Sequence, residues 1–310
     1  PVTAWNGTDS LGTTWIDGKH GRNTVALPWP NADRVRIDAT DHTLDIDRRN
    51  NEVRSDGLLK RSKLPAFKFL GGLEREDRRS IYWSPAIGYN THDGFMAGAA
   101  LYNTVYPSQR FEWAAAPLYG FASGRLAGGA RLMWNEDRLR SDLLRNVHVG
   151  VSGFAASLYA VDAVEQWYQR LVPSIQFDLR LRPTGPEAFL RYRTVVLWDH
   201  AEGVYHALGD AVPINSSSRD VYHEVSADLS SKTGFNPFDV SVISLNSIAF
   251  SRISLTAKWS AIYDARKHRV TFRAFAGAFL HKDEELMRPE MGWRMYWGSS
   301  DLLYDHLYVN

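Results

Sequence analysis

The sequence predicts an all-β chain. A short β-rich segment over residues 1–64 is expected to lead into an antiparallel transmembrane β-barrel over residues 65–310, incomplete at its C-terminal end. Three observations predict this. Apolar and polar residues alternate with period two over unusually long stretches, as between Ser251 and Leu280. No run of about 18 apolar residues occurs, so a transmembrane helix is excluded. Aromatic residues make up 13% of the chain, with 11 Trp and 14 Tyr, which suits a barrel carrying aromatic girdles.

The clearest alternation sets Ile253, Leu255, Ala257, Trp259, Ala261 and Tyr263 against Arg252, Ser254, Thr256, Lys258, Ser260 and Ile262, polar with one exception. After "DARKH" it restarts, with Val270, Phe272, Ala274, Ala276, Ala278 and Leu280 on one side and Arg269, Thr271, Arg273, Phe275, Gly277 and Phe279 on the other. Successive strand side chains point to opposite faces, so each run has one oily and one polar side. Strands in soluble proteins usually run about 5–6 residues, whereas a tilted strand needs roughly 9–11 to cross a bilayer. These runs match the second length.

In chain order, residues 1–64 read as a few short strands of a soluble β-domain. "TTWIDGKHGRNTVALPWP" and "ADRVRIDATDHTLDIDRRNN" hold brief alternations (Val35 and Ile37; Leu44 and Ile46) broken by Gly, Pro and Asn. "RSDGLLKRSKLP" is a basic, polar connector. From Ala66 onward the predicted strands are 66–74, 81–90, 94–105, 111–121, 125–134, 147–159, 169–182, 187–198, 220–230, 239–249, 252–263, 269–280 and 291–297. Turns such as "NTHDG", "GFASG" and "RPTGPE" link neighbours. Single-chain bacterial barrels normally have even strand numbers. Thirteen candidates, followed by the polar "SSDLLYDHLYVN", therefore suggest a barrel cut short. Pro1 opens without Met or a signal peptide, so the chain is expected to be an internal piece of a longer exported protein.

Charge and composition exclude several classes. The 36 basic and 35 acidic residues leave a net charge of +1, so no bulk attraction to nucleic acid is expected. Without cysteine there is no disulfide framework, thiolate metal site or thiol nucleophile. P-loop, dinucleotide and G-x-S-x-G fingerprints are absent. "HEVSA" starts like a zinc helix at His223 and Glu224, but the alternation puts these two on opposite faces of a strand. His200, Glu202 and His206, in "WDHAEGVYHALGD", are read as a loop whose imidazoles are solvated, although three such groups could hold a metal. No catalytic, cofactor-binding or metal residue is assigned. Arg180, Arg182, Arg191, Arg193, Arg252, Arg269 and Arg273 fall on the polar side, where they could line a pore or pair with Asp178, Glu224 and Asp228 in a filled interior.

Three stretches carry a resemblance. "RIDATDHTLDIDRRNNEV" resembles the last β-segment before the membrane part in large envelope proteins of the gluzincin (membrane alanyl aminopeptidase-like) metallopeptidase family of Gram-negative bacteria. "YWSPAIGYNTHDGFMAGAALYN", with Tyr89, Asn90, Asp93, Gly94, Phe95 and Gly98, resembles the start of the barrel in the same proteins, and "VTFRAFAGAFL" a later strand. The resemblance implies an outer-membrane barrel anchoring an upstream zinc peptidase domain. Lipid would then be the direct partner, and peptide substrate would be met only through that upstream domain. The H-E-x-x-H helix and its third ligand are not in these residues, so no catalytic residue carries over and no cofactor is expected here, zinc belonging to the parent protein. Gly94 and Gly98 are expected to serve tight turning and close strand approach. Other readings are an outer-membrane assembly factor or channel barrel, and a soluble carbohydrate-binding β-sandwich.

Overall fold

The computed structural model describes residues 1–17, 24–43, 45, 48–57, 60, 63–72, 78–105, 109–137, 139, 141–161, 163–180, 185–207, 210–232, 236–263, 268–287, 291 and 303. The chain is all-β, with a small four-stranded sheet followed by a twelve-stranded, largely antiparallel one. Contacts divide it into two units, Pro1–Ser84 with Leu101–Ser108, and Pro85–Ala100 with Gln109–Asn310.

The small sheet has the order β2-β1-β3-β4, from β1 (Val2–Asn6), β2 (Asp9–Thr14), β3 (Arg34–Ile37) and β4 (Glu52–Arg54). Val2, Thr3 and Ala4 of the central strand β1 are buried. The link from β3 to β4 is organised by Asp38, which is 1% exposed and has a positive φ of 51°. Its N–H donates to the Pro1 carbonyl at 2.8 Å. Its carboxylate accepts from the Thr43 hydroxyl at 2.6 Å and from the Thr43 and His42 amides at 2.8 and 2.9 Å. The Thr43 bonds, with a smaller contribution from Arg48, outweigh burial and hold the Asp38 carboxyl down at about 2. "ADRVRIDATDHTLD" is thus a polar turn nucleus joined to a strand, with Val35 and Ile37 in β3. Leu44 and Ile46 lie outside the described residues.

The large sheet runs β5 (Ala66–Phe69), β6 (Ser80–Asn90), β7 (Gly94–Tyr102), β8 (Phe111–Gly120), β9 (Leu126–Glu136), β10 (Leu144–Val161), β11 (Ala163–Leu179), β12 (Glu187–Ala207), β13 (Asp210–Ser231), β14 (Phe238–Asn246), β15 (Phe250–Ile262) and β16 (Arg269–Lys282). Spatial order follows chain order, with β5 and β16 at the two edges, so among the described residues the sheet is open and not ring-closed. Twelve of the thirteen long runs predicted from the alternation correspond to strands. The thirteenth, 291–297, lies outside the described residues after Met291, as do Arg182 with the first half of "RPTGPE", most of "DARKH", and nearly all of "SSDLLYDHLYVN".

Two expectations need correction. β5 pairs with β6 in parallel, Ala66 opposite Ser80 and Phe69 opposite Trp83. It stops at Phe69, not at residue 74, because Leu70, Gly71 and Gly72 all take positive φ, which a regular strand cannot include. Second, β12 and β13 are far longer than 187–198 and 220–230. They pair continuously from Glu187–Ser230 to Ala207–Asp210, so the stretch with His200, Glu202 and His206 is strand and not loop.

The Tyr-Asn-x-x-Asp-Gly-Phe-x-x-Gly stretch has a definite mechanical role. Asp93, fully buried in the turn between β6 and β7, accepts from Asn90 Nδ2 at 2.7 Å, from the Ser123 and Ser157 hydroxyls at 2.6 Å each, and from the Ser157 amide at 3.1 Å. One carboxylate therefore ties this turn to the β8–β9 turn and to β10. Gly94 follows at φ 66°, and a Cβ there would lie 2.9 Å from that of Ala122. A Cβ on Gly98 would overlap the Pro117 carbonyl oxygen, so β7 and β8 approach as closely as they do only because the residue is glycine.

Candidate membrane interface

Much of the large sheet exposes apolar residues and covers polar ones, although the covered face also holds an apolar cluster of Val172, Val195, Leu197, Tyr222, Leu245 and Phe250. Along β13, Tyr222, Glu224 and Ser226 are 1%, 4% and 1% exposed, while the intervening His223, Val225 and Ala227 are open. In β15, Ser260 is buried and its neighbour Trp259 is 45% exposed; Leu255 is 43% exposed. Leu190 and Tyr192 of β12 face outward, and Arg193 faces inward with its side chain 14% exposed. A soluble antiparallel sheet packs its apolar face on a core and wets the polar one. Here much of the outer face is apolar.

Aromatic side chains mark two levels of that outer face. At one end of the strands, Phe111 and Trp134 sit opposite each other on β8 and β9 with centroids 6.5 Å apart. At the same end Trp259 and Phe272 stack at 5.5 Å across β15 and β16. At the other end Phe95, Tyr119 and Phe121 cluster, with centroid distances of 5.5 and 5.9 Å. There, too, Trp167 stacks on His200 at 5.2 Å. Arg125 lies 3.6 Å over the Trp167 ring and pairs with Glu165 at 3.0 Å, so charge follows immediately beyond the aromatic level. From Phe111 to Tyr119 is about 27 Å of strand at roughly 3.4 Å per residue, or about 21 Å of height at the roughly 40° tilt of barrel strands. An apolar band of a membrane barrel is about 25 Å tall and is flanked by such aromatic rows.

The covered face gathers the charges. Glu224 accepts from Arg193 Nε and Nη2, both at 2.8 Å, and pairs with Arg191 at 3.4 Å. Asp178 takes other partners: His148 Nε2 at 3.0 Å, Gln176 at 2.8 Å and Asn146 at 3.2 Å, with Asn135 on the far side of the His148 ring at 2.8 Å. Arg252 donates to the Met291 carbonyl at 2.9 Å and lies over the Phe250 ring. Arg180, Arg269 and Arg273 are exposed. Of the predicted arginines, Arg191 and Arg193 pair as the filled-interior reading expects, around Glu224. The His148–Asp178 pair escaped sequence reading because its members are 30 residues apart and belong to no motif. For Asp93 the signal in the sequence is the Asn-x-x-Asp spacing of Asn90 and Asp93, whose side chains favour turn hydrogen bonds.

The histidine candidates separate. His223 is exposed and hydrogen-bonds Tyr192 at 2.9 Å, whereas Glu224 points to the covered face; the two share no site. His200 and Glu202 stand on one face of β12, His200 stacked on Trp167; the side chain of His206 lies outside the described residues. Among the described residues no three His, Asp or Glu side chains gather closely enough to hold a metal. No family model, curated protein or solved structure matches the chain.

Proposed function

We propose that this chain is the membrane-anchoring barrel portion of a zinc metallopeptidase-like protein of the Gram-negative outer membrane, with the catalytic domain upstream. The observation that carries the anchoring role is the apolar outer face of much of the large sheet. Exposed Leu255, Val225 and Leu190 beside buried Glu224 and Ser226 would be costly in water and favourable against lipid, at about 25 cal/mol per Å² of apolar surface. The aromatic levels and the length of the strands support the same placement. A soluble carbohydrate-binding sandwich would need the opposite arrangement, its alternating apolar residues inside. The peptidase assignment rests on the resemblance of residues 36–53 and 82–103 to the gluzincin group, and an assembly factor or channel would use the same wall.

Expressed with an export signal, the protein should fractionate with outer membranes and resist carbonate extraction. Recovery as a stable monomer in detergent-free buffer would contradict the anchoring role.

A further inference from the structure

A cavity of about 410 Å³ opens on the covered face beside the Asp93 knot. Five successive strands wall it, through Gly88 of β6, Met96 of β7, Leu118 of β8, Ala127 of β9, and Phe154 and Ala156 of β10. Register puts these side chains on one face. Leu118 stands opposite Ala127, and Phe154 opposite Gly129, two residues further along β9. Met96 and Ala127 are each only 8% exposed. Three bulky apolar residues thus meet three small ones, and the small ones leave the space. Gly88 shows this directly, since a Cβ there would lie 3.1 Å from Met96 Cε and 3.4 Å from Leu118 Cδ1. Close-packed interiors hold few spaces larger than a water molecule, whereas small-molecule sites run to roughly 300–1,000 Å³ with mostly apolar walls.

The rim is polar and held in place. Asn90 and Ser157 both line the cavity, and both are bound to the Asp93 carboxylate. Asn90 Oδ1 accepts from the His92 amide at 2.9 Å, which fixes the turn over the opening. The His92 imidazole, half-buried at the rim, has no hydrogen-bond partner among the described residues. No Asp, Glu, Lys or Arg lines the cavity, so it offers neither a cation for an anionic ligand nor a carboxylate for a cationic one. Imidazole presents a donor on one nitrogen and an acceptor on the other, which suits a hydroxyl.

We infer that this cavity binds a small uncharged ligand, an aromatic ring or short hydrocarbon chain carrying one hydroxyl. Its apolar body lies against Met96, Leu118 and Phe154, and its hydroxyl meets His92. All the walls belong to one of the two units and to one face of consecutive strands, so the site does not depend on the membrane placement.

The probe is 4-fluorophenol, titrated by fluorine NMR into the refolded protein in lipid nanodiscs, with empty nanodiscs giving the partition background. The protein should add a saturable component. Gly88→Leu and Ala156→Leu fill the cavity from different strands, and each should weaken binding by at least about tenfold. His92→Phe changes the half-buried rim and leaves the walls intact. It should weaken 4-fluorophenol by about two- to tenfold, the worth of one hydrogen bond, while sparing fluorobenzene, which has no hydroxyl. Absence of a saturable component would overturn the site, as would one that persists undiminished in both filled variants. Equal loss of the two probes in His92→Phe would overturn the hydroxyl assignment. If the protein proves soluble, the same titration in plain buffer should still show saturable binding, so failure of the membrane placement and failure of the site are read separately.

Discussion

Glu224 shows how charge is managed at the level of single residues. Its carboxylate is buried, and it is held by two hydrogen bonds from Arg193 with Arg191 as an outer partner. Removing one member of a buried pair leaves an uncompensated charge and costs about 3–5 kcal/mol. Glu224→Ala should therefore destabilise the refolded protein by roughly 3 kcal/mol, less where water reaches Arg191, as read from urea unfolding in micelles. The same change at Glu202, which is exposed, should cost under about 1 kcal/mol. Asp38 carries a pH dependence in the small sheet. Its folded carboxyl titrates at about 2, below the roughly 3.9 of an unfolded Asp. A depressed folded value means the unfolded state binds the proton first, so this stabilisation is full above about pH 4 and is lost as pH falls toward 2. Thr43→Val should raise the Asp38 value and move the acid transition of the small sheet to higher pH. An unchanged Asp38 titration by NMR would remove Thr43 from that role.

At the level of strands, the two faces of β15 should answer oppositely to the same charge. Leu255 lies on the open apolar face between Ile253 and Ala257, and Thr256 on the covered face opposite Ser241. An Arg near a bilayer midplane costs about 2–4 kcal/mol on the lipid side. Leu255→Arg should impair membrane insertion, while Thr256→Arg should cost about 0–1 kcal/mol, through repulsion from the exposed Lys258 and Arg273 on the same side of the strands. Equal insertion of the two variants would contradict the assignment of faces. This alternation is also what made the large sheet readable: wherever one face is apolar, as in β15, β16 and the lower half of β12, period two locates the strand. It fades where both faces are polar. In "DHAEGVYHALGDAVPINSSSRD" the backbone ladder of β12 and β13 continues from the Asp199–Ser218 pair to the Ala207–Asp210 pair, yet few side chains alternate, so the sequence alone signals a loop. The parallel pairing of β5 was equally hidden, since four residues signal a strand but say nothing of its direction.

For the molecule as a whole, the candidate interface was more legible than the chemistry of the interior. The oily face follows from local sequence, but the partners of Glu224, Asp178 and Asp93 come from strands tens of residues apart, and only register brings them together. The membrane placement also makes a demand on the edge at β16, because an unpaired strand edge does not persist in hydrocarbon. The amides of Arg269–Lys282 that face away from β15 should be protected from hydrogen exchange in native membranes; rapid exchange along that edge would speak against its lying in the bilayer.

The most direct test of the central claim uses the cysteine-free background to place one fluorescent label at a time, at Leu255→Cys or at Thr256→Cys, in protein reconstituted into bilayers. The label at 255 should be quenched by lipids carrying bromine or spin labels on their acyl chains and spared by aqueous iodide. The label at 256 should show the reverse or be shielded from both. Equal quenching of the two labels by iodide, with none by the lipid quenchers, would mean that β15 never meets hydrocarbon, and the anchoring role would be contradicted.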